Sequence, residues 1–264
     1  VTAVIDGRAY TAAPLAPLNA TLRQMFGTDD LPGLAPGLLV EDEQGWLPAT
    51  ALLDGDLLPE LLAGAQRSWQ ATPHAAAALL WKAYTYWLAL PAVVGWASAR
   101  RVPLLRAPDV LVQVDARRSA LTLGLRRSTT IAVLPSDPLA LRGHPEVRVL
   151  ADEAALLGAL RESLLDEHLT PLLDAIHTQV RVGARTLLGS VASGVAYGIL
   201  RAADGLPGAT VENVGTLLGA LDIEDLIELV PGETGELTVQ RKTCCLAFTL
   251  PRPRICKGCC IRSN

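Results

Sequence analysis

Cys244 and Cys245 stand side by side, ten residues separate them from Cys256, and Cys259 follows after two more. Four thiolates in two close-set pairs suit a soft tetrahedral metal site. The C-x-x-C half is a ready chelate, because Gly258 inside it lets the backbone fold back so that both sulfurs reach one ion. The vicinal half is less usual. Adjacent side chains on an extended strand point to opposite sides, which makes chelating a single ion awkward. A [2Fe–2S] cluster eases this, since it offers two irons and takes four cysteines in all. Structural zinc more often uses two C-x-x-C pairs at matched spacing. The spacing therefore favours iron–sulfur over zinc, with a disulfide third. Cys260 is the fifth cysteine and has no place in the spacing.

All five cysteines fall within the last 21 of 264 residues. A disulfide-stapled scaffold spreads its cysteines through the fold, so that class is excluded. Half the chain is apolar and 19% is charged, which excludes disorder and leaves ample material for a core. The net charge is −4, which argues against general nucleic-acid binding. The cysteine segment differs locally. Arg241, Lys242, Arg252, Arg254, Lys257 and Arg262 lie within 241–264, and no acid does. Arg252, Arg254 and Lys257 are the candidates to bind a substrate or dock an electron donor.

Other chemistry is missing. Gly189 and Gly194 have the glycine spacing of a phosphate loop, but Val195 and Ala196 replace its Lys-Ser/Thr pair. No G-x-G-x-x-G opens a helix after a strand, and no G-x-S-x-G elbow occurs. His74, His144, His168 and His177 show no metal-ligand spacing and read as structural or solvated.

The elements that must position the cysteines follow from periodicity. Residues 50–66 and 73–100 read as helical, with Thr72 and Pro73 as N-cap and first helical residue. Residues 75–99 are nearly all apolar, with Lys82 their only charge. That length would just span a bilayer, but Pro91 predicts two buried pieces, 75–90 and 92–99. The first twenty residues carry no signal-peptide pattern. Trp69, Trp81, Tyr84, Tyr86, Trp87 and Trp96 read as core and groove packing, or as an apolar wall for a bulky ligand. Residues 38–46 suggest a small hairpin.

Two-residue alternation at Val110, Val112 and Val114, then at Leu121, Leu123 and Leu125, then at Ile131 and Val133, predicts an antiparallel meander with turns at 116–119 and 127–129. Seven arginines between 100 and 127 make this region basic, mostly as solvated turn residues, with an anionic-ligand surface as the lesser reading. Asp152 is placed to cap a helix bearing Leu156, Leu157, Leu160 and Leu164. Thr170 and Pro171 predict a new helix, and residues 185–203 a further one whose Gly194 and Gly198 serve close packing. Residues 211–230 read as one or two helices split near Asp222, and 238–240 and 246–249 as strands leading into the cysteines. The fold class is α+β: a helical body with a small antiparallel sheet, residues 1–234, and a C-terminal cysteine segment, residues 235–264.

The C-C-x10-C-x2-C pattern near the C-terminus resembles that of the FhuF-type ferric-siderophore reductases, as does the chain length. The body resembles that family loosely, through residues 168–198, and is similar to the C-terminal part of siderophore synthetases, which lack the cysteines. The resemblance implies a [2Fe–2S] cluster on Cys244, Cys245, Cys256 and Cys259. It implies cytoplasmic one-electron reduction of an Fe(III) siderophore, of hydroxamate type, with release of Fe(II). The electron donor is then another protein such as a ferredoxin, the chain a monomer, and any membrane contact peripheral. Cys260 reads as a bystander. The alternative is a non-enzymatic binding protein stabilised by zinc on four cysteines.

Overall fold

The computed structural model describes residues 15–27, 31–55, 57–115, 120–232, 235–256 and 258–261. Within them the helices are α1 (Ala16–Phe26), α2 (Leu57–Trp69), α3 (Pro73–Ala99), α4 (Glu153–Arg161), α5 (Thr170–Gln179), α6 (Ala184–Ala202) and α7 (Thr210–Ala220), with strands before α2, between α3 and α4, and after α7. The α+β class holds.

Thr72 opens α3 as read from sequence, its Oγ1 accepting the Ala75 N–H at 3.3 Å. The division at Pro91 does not occur. Pro91 lies buried inside one 27-residue helix. An interior proline costs a helix about 3 kcal/mol through its lost N–H and ring clash. Burial on nearly every face offsets that cost, with Trp81 and Trp96 fully enclosed. Helix α6 packs along α3. A Cβ on Gly194 would sit 3.4 Å from the Tyr86 Cα, and one on Gly198 3.2 Å from Leu90, so these glycines do serve close approach. Trp81 Nε1 donates to the Leu187 carbonyl at 2.8 Å and ties the pair together. Helices Pro73–Ala99 and Ala184–Gly205 are long and apolar enough to cross a membrane by length and composition, and most of each lies inside the protein.

Asp152 caps α4, its Oδ1 accepting the Ala155 N–H at 2.8 Å. The α-helix expected from Thr170 is present as α5, with Pro171 in its first turn, but it follows α4 without a break. Residues 153–179 run on through a π-helical stretch, Glu162–Leu169. Its wider turn takes up the irregularity that Pro171 imposes. Asp54 and Gly55 (φ 99°) break the helix expected over 50–66, leaving a 3-10 turn at Ala49–Leu52 and the later α2.

The strands are β1 (Leu34–Leu39), β2 (Leu47–Pro48), β3 (Val102–Pro103), β4 (Val110–Asp115), β5 (Ala120–Leu125), β6 (Ile131–Val133), β7 (Val147–Val149), β8 (Ile227–Pro231) and β9 (Leu237–Arg241). They form three small sheets, ordered β1-β5-β4-β2, β3-β6-β7 and β8-β9. Strands β4 and β5 pair antiparallel, Val112 opposite Leu123, as the alternation predicts. The turn expected at 116–119 lies outside the described residues. The meander ends after β5, because β6 joins β3 and runs parallel to β7. The hairpin expected at 38–46 is not formed either. Gly37 and Leu38 take left-handed backbone (φ 68° and 69°), and β1 adds to β5 in parallel. Residues 211–230 break at Asp222 (φ 57°), and their end is strand β8, not helix.

Candidate functional site

Strand β9 delivers the cysteines. It pairs with β8, Val239 opposite Leu229, and Val239 is fully buried. The chain leaves β9 at Arg241 and passes Thr243 before the vicinal pair. Leu246 then turns left-handed (φ 62°), which brings its N–H to 3.3 Å from Cys244 Sγ. A 3-10 turn, Ala247–Thr249, follows where a strand was expected. The left-handed residue explains the change, since it ends extended backbone.

The C-x-x-C turn returns to the same strand. Gly258 O accepts the Arg241 N–H at 2.9 Å, and Gln240 Nε2 donates to the Cys259 carbonyl at 3.2 Å. A Cβ on Gly258 would lie 1.5 Å from the Val239 carbonyl oxygen, so only glycine permits this seat. Gly189 on α6 plays a matching part. A Cβ there would lie 1.9 Å from Thr243 Oγ1. The glycine spacing read as an empty phosphate loop thus contains the contact that lets the cysteine segment lie on α6.

Two of the four motif sulfurs meet directly, Cys245 Sγ and Cys256 Sγ at 3.5 Å. Cys245 and Cys259 are buried, while Cys244 and Cys256 are half-buried. Cys260 is exposed, but its thiol hydrogen-bonds Cys244. All five are free thiols. Among the described residues no three Cys, His, Asp or Glu side chains close on one metal-sized point. The Cys256 thiol donates to Cys245 and, with the Ala247 N–H and the charges of Lys82 and Arg241, pushes the Cys245 thiol down to about 5. The same shared bond and burial push Cys256 up.

Two cations attend these sulfurs. Lys82 Nζ donates to Cys256 Sγ at 3.6 Å. Arg241 is 3% exposed, and its Nη2 donates to Ser190 Oγ at 3.0 Å. Its Nε and Nη1 are buried with no protein partner, and so is Thr243 Oγ1. An unsatisfied buried guanidinium is costly. Placed beside the cysteines, it fits a group there that carries negative charge. The residues that could hold a metal group are Cys244, Cys245, Cys256 and Cys259, with Lys82 and Arg241 as the balancing charge.

Of the proposed binding arginines, Arg252 and Arg254 are exposed and line one cleft with Trp69. Lys257 lies outside the described residues. The described strand-region arginines are each paired with a carboxylate, and Arg117 and Arg118 lie outside the described residues. Arg100 pairs with Glu153, Arg101 with Asp137, Arg106 with Asp109, Arg126 with Glu43, and Arg127 with Glu41. His168 is structural. Its Nδ1–H donates to the Leu105 carbonyl and its Nε2 accepts from the Tyr84 hydroxyl, both at 2.6 Å. Burial pushes it down to about 4.

Sequence reasoning did not single out Lys82, Ser190 or Thr243 as site residues. Lys82 gave the one usable signal, as the lone charge in an apolar helix. Ser190 and Thr243 gave none.

No protein-family model and no curated protein sequence matches the chain. Among solved structures it is similar to ATP-bound aerobactin synthetase IucA from a hypervirulent pathotype of Klebsiella pneumoniae. The TM-score is 0.53 at 17% identity, over 87% of this chain and 45% of that one. The chain thus spans less than half the length of that protein, and the likeness is one of fold.

Proposed function

We propose that this protein is a ferric-siderophore reductase of the FhuF type, in which Cys244, Cys245, Cys256 and Cys259 hold a [2Fe–2S] cluster. The observation that carries the reading is the buried Arg241, with two unpartnered guanidinium nitrogens, next to a four-cysteine segment seated on β9 and α6. The donor set is soft and all sulfur, as such a cluster requires. Its spacing is that of the family. The fold likeness to aerobactin synthetase, a siderophore-related protein, supports the substrate class at the level of fold only.

A cluster held by Cys244, Cys245, Cys256 and Cys259 would supply the one-electron chemistry that reduction of Fe(III) needs, with a protein such as a ferredoxin as the donor. Siderophores grip Fe(III) with hard oxygen ligands, and the less charged Fe(II) binds them more weakly, so one electron releases the metal. The chain's own residues set the conditions. Gly258 and Gly189 let the two cysteine pairs lie against rigid elements. Lys82 and Arg241 oppose the negative charge of the thiolates and favour the more negative, reduced form. The family resemblance implies a cytoplasmic reaction, with peripheral membrane contact at most.

The test is the composition of the protein purified without oxygen. Two irons and two acid-labile sulfides per chain, with red-brown colour, are expected. A colourless protein carrying one zinc overturns the reading and favours a zinc-stabilised binding protein.

A further inference from the structure

We propose that the cleft beside the Cys245 segment binds the ferric chelate and selects chelates of net negative charge. This rests on the reductase reading above. The cleft has a volume of about 480 Å³, within the range of small-molecule sites. One wall is the end of α2, with Trp69 and Gln70, together with Leu79 of α3. The other is the segment from Ala247 to Arg254.

Three features join this cleft to the chemistry. Ala247 lines it two residues along the chain from Cys245, and the Leu246 N–H between them bonds Cys244 Sγ, so the cleft wall is continuous with the cysteine segment. The Ala247 carbonyl accepts the Arg254 N–H at 3.1 Å, which fixes the arginine segment to that wall. Pro251 and Pro253 flank Arg252 and hold the backbone angle on either side of it, so the two guanidinium groups are presented by a stiff stretch.

The charge in the cleft has one sign. Arg252 and Arg254 line it, and among the described residues no acidic side chain does. The half-buried Trp69 adds a flat apolar face suited to a ring. Guanidinium groups match carboxylate and phenolate oxygens in geometry and charge. A neutral or cationic trihydroxamate has no group for them. A chelate with catecholate or free carboxylate oxygens has several. The hydroxamate class expected from the sequence resemblance is therefore not the one this cleft fits.

Gallium(III) replaces iron in the test, because it cannot be reduced and so separates binding from electron transfer. Binding to the cluster-loaded protein is measured by calorimetry for Ga(III) held by a hexadentate tricatecholate, which is anionic, and by a linear trihydroxamate with a free ammonium. The anionic complex should bind at least tenfold more tightly. The double variant Arg252→Glu/Arg254→Glu should lose at least tenfold for it and nothing for the cationic one. Equal affinity for the two complexes, or an unchanged affinity in the double variant, overturns the proposal. Mixing the reduced protein with the corresponding Fe(III) complexes keeps the two readings apart. Binding with the stated preference but no oxidation of the cluster overturns the reductase reading and leaves the cleft assigned. Oxidation that ignores both charge and the double variant does the reverse.

Discussion

Arg241 is bound to Ser190 through a single contact, Nη2 to Oγ at 3.0 Å, and its other two guanidinium nitrogens meet no protein group. A buried cation left this way penalises the empty protein and favours one that holds an anion. Arg241→Met should therefore act with opposite sign on the two forms. Cluster-free protein should gain about 1 kcal/mol or more in urea unfolding. Loaded protein should lose cluster faster. Its reduction potential should fall by about 40–130 mV, the equivalent of about 1–3 kcal/mol for a charge several Å away at an effective dielectric of ~20. An unchanged potential, read by redox titration, would remove Arg241 from the electrostatic account.

Lys82 should act in the same direction and more weakly. It is half-buried, so solvent screens it. Lys82→Gln is expected to lower the potential by less than the Arg241 variant does, with an effect that shrinks as salt rises. A larger shift than that of Arg241→Met would reverse the ranking of the two charges.

The cysteines separate by role. Serine in place of Cys244, Cys245, Cys256 or Cys259 should abolish the visible absorption and the acid-labile sulfide. Cys260→Ser should keep both, even though its thiol touches Cys244. Loss of the cluster in Cys260→Ser alone would mean that the fifth cysteine is a ligand.

Gly258→Ala tests the seat of the C-x-x-C turn. Its methyl would fall on the Val239 carbonyl, so the turn must leave β9. The expected cost is about 1–3 kcal/mol of local packing, with cluster loss and an intact helical circular dichroism signal. Normal cluster content in this variant would show that the turn need not dock on β9.

His168 predicts a pH dependence unrelated to the cysteines. It is neutral in the native protein down to about 4 and titrates near 6.5 when unfolded. A depressed native value means that the unfolded chain takes up the proton first. The contribution is intact above 6.5 and is lost as pH falls from 6.5 to 4. The loss is on the order of 3 kcal/mol. Urea unfolding of cluster-free protein at several pH values should show this slope, and His168→Gln should flatten it.

Local chemistry was legible in the sequence and long-range packing was not. Thr72 and Asp152 could be read as caps because a cap involves neighbours three residues away. Pro91 misled because proline rules describe isolated helices, and here burial absorbs it. The parallel pairing of β1 with β5 joins residues about ninety positions apart, which no local period encodes. The cysteine motif was visible as spacing. Its basic tail was visible too, but only packing on α6 shows that Arg241 is buried. Trp69 reads as one aromatic among several until the Arg252 segment folds across from it.

The most direct measurement is anaerobic stopped-flow mixing of the chemically reduced, cluster-loaded protein with a ferric siderophore, with a chelator present to trap Fe(II). The account predicts that cluster absorbance returns and one Fe(II) appears for each cluster reoxidised. A reduced cluster that stays reduced with ferric tricatecholate and ferric trihydroxamate alike, with no Fe(II) trapped, would contradict it.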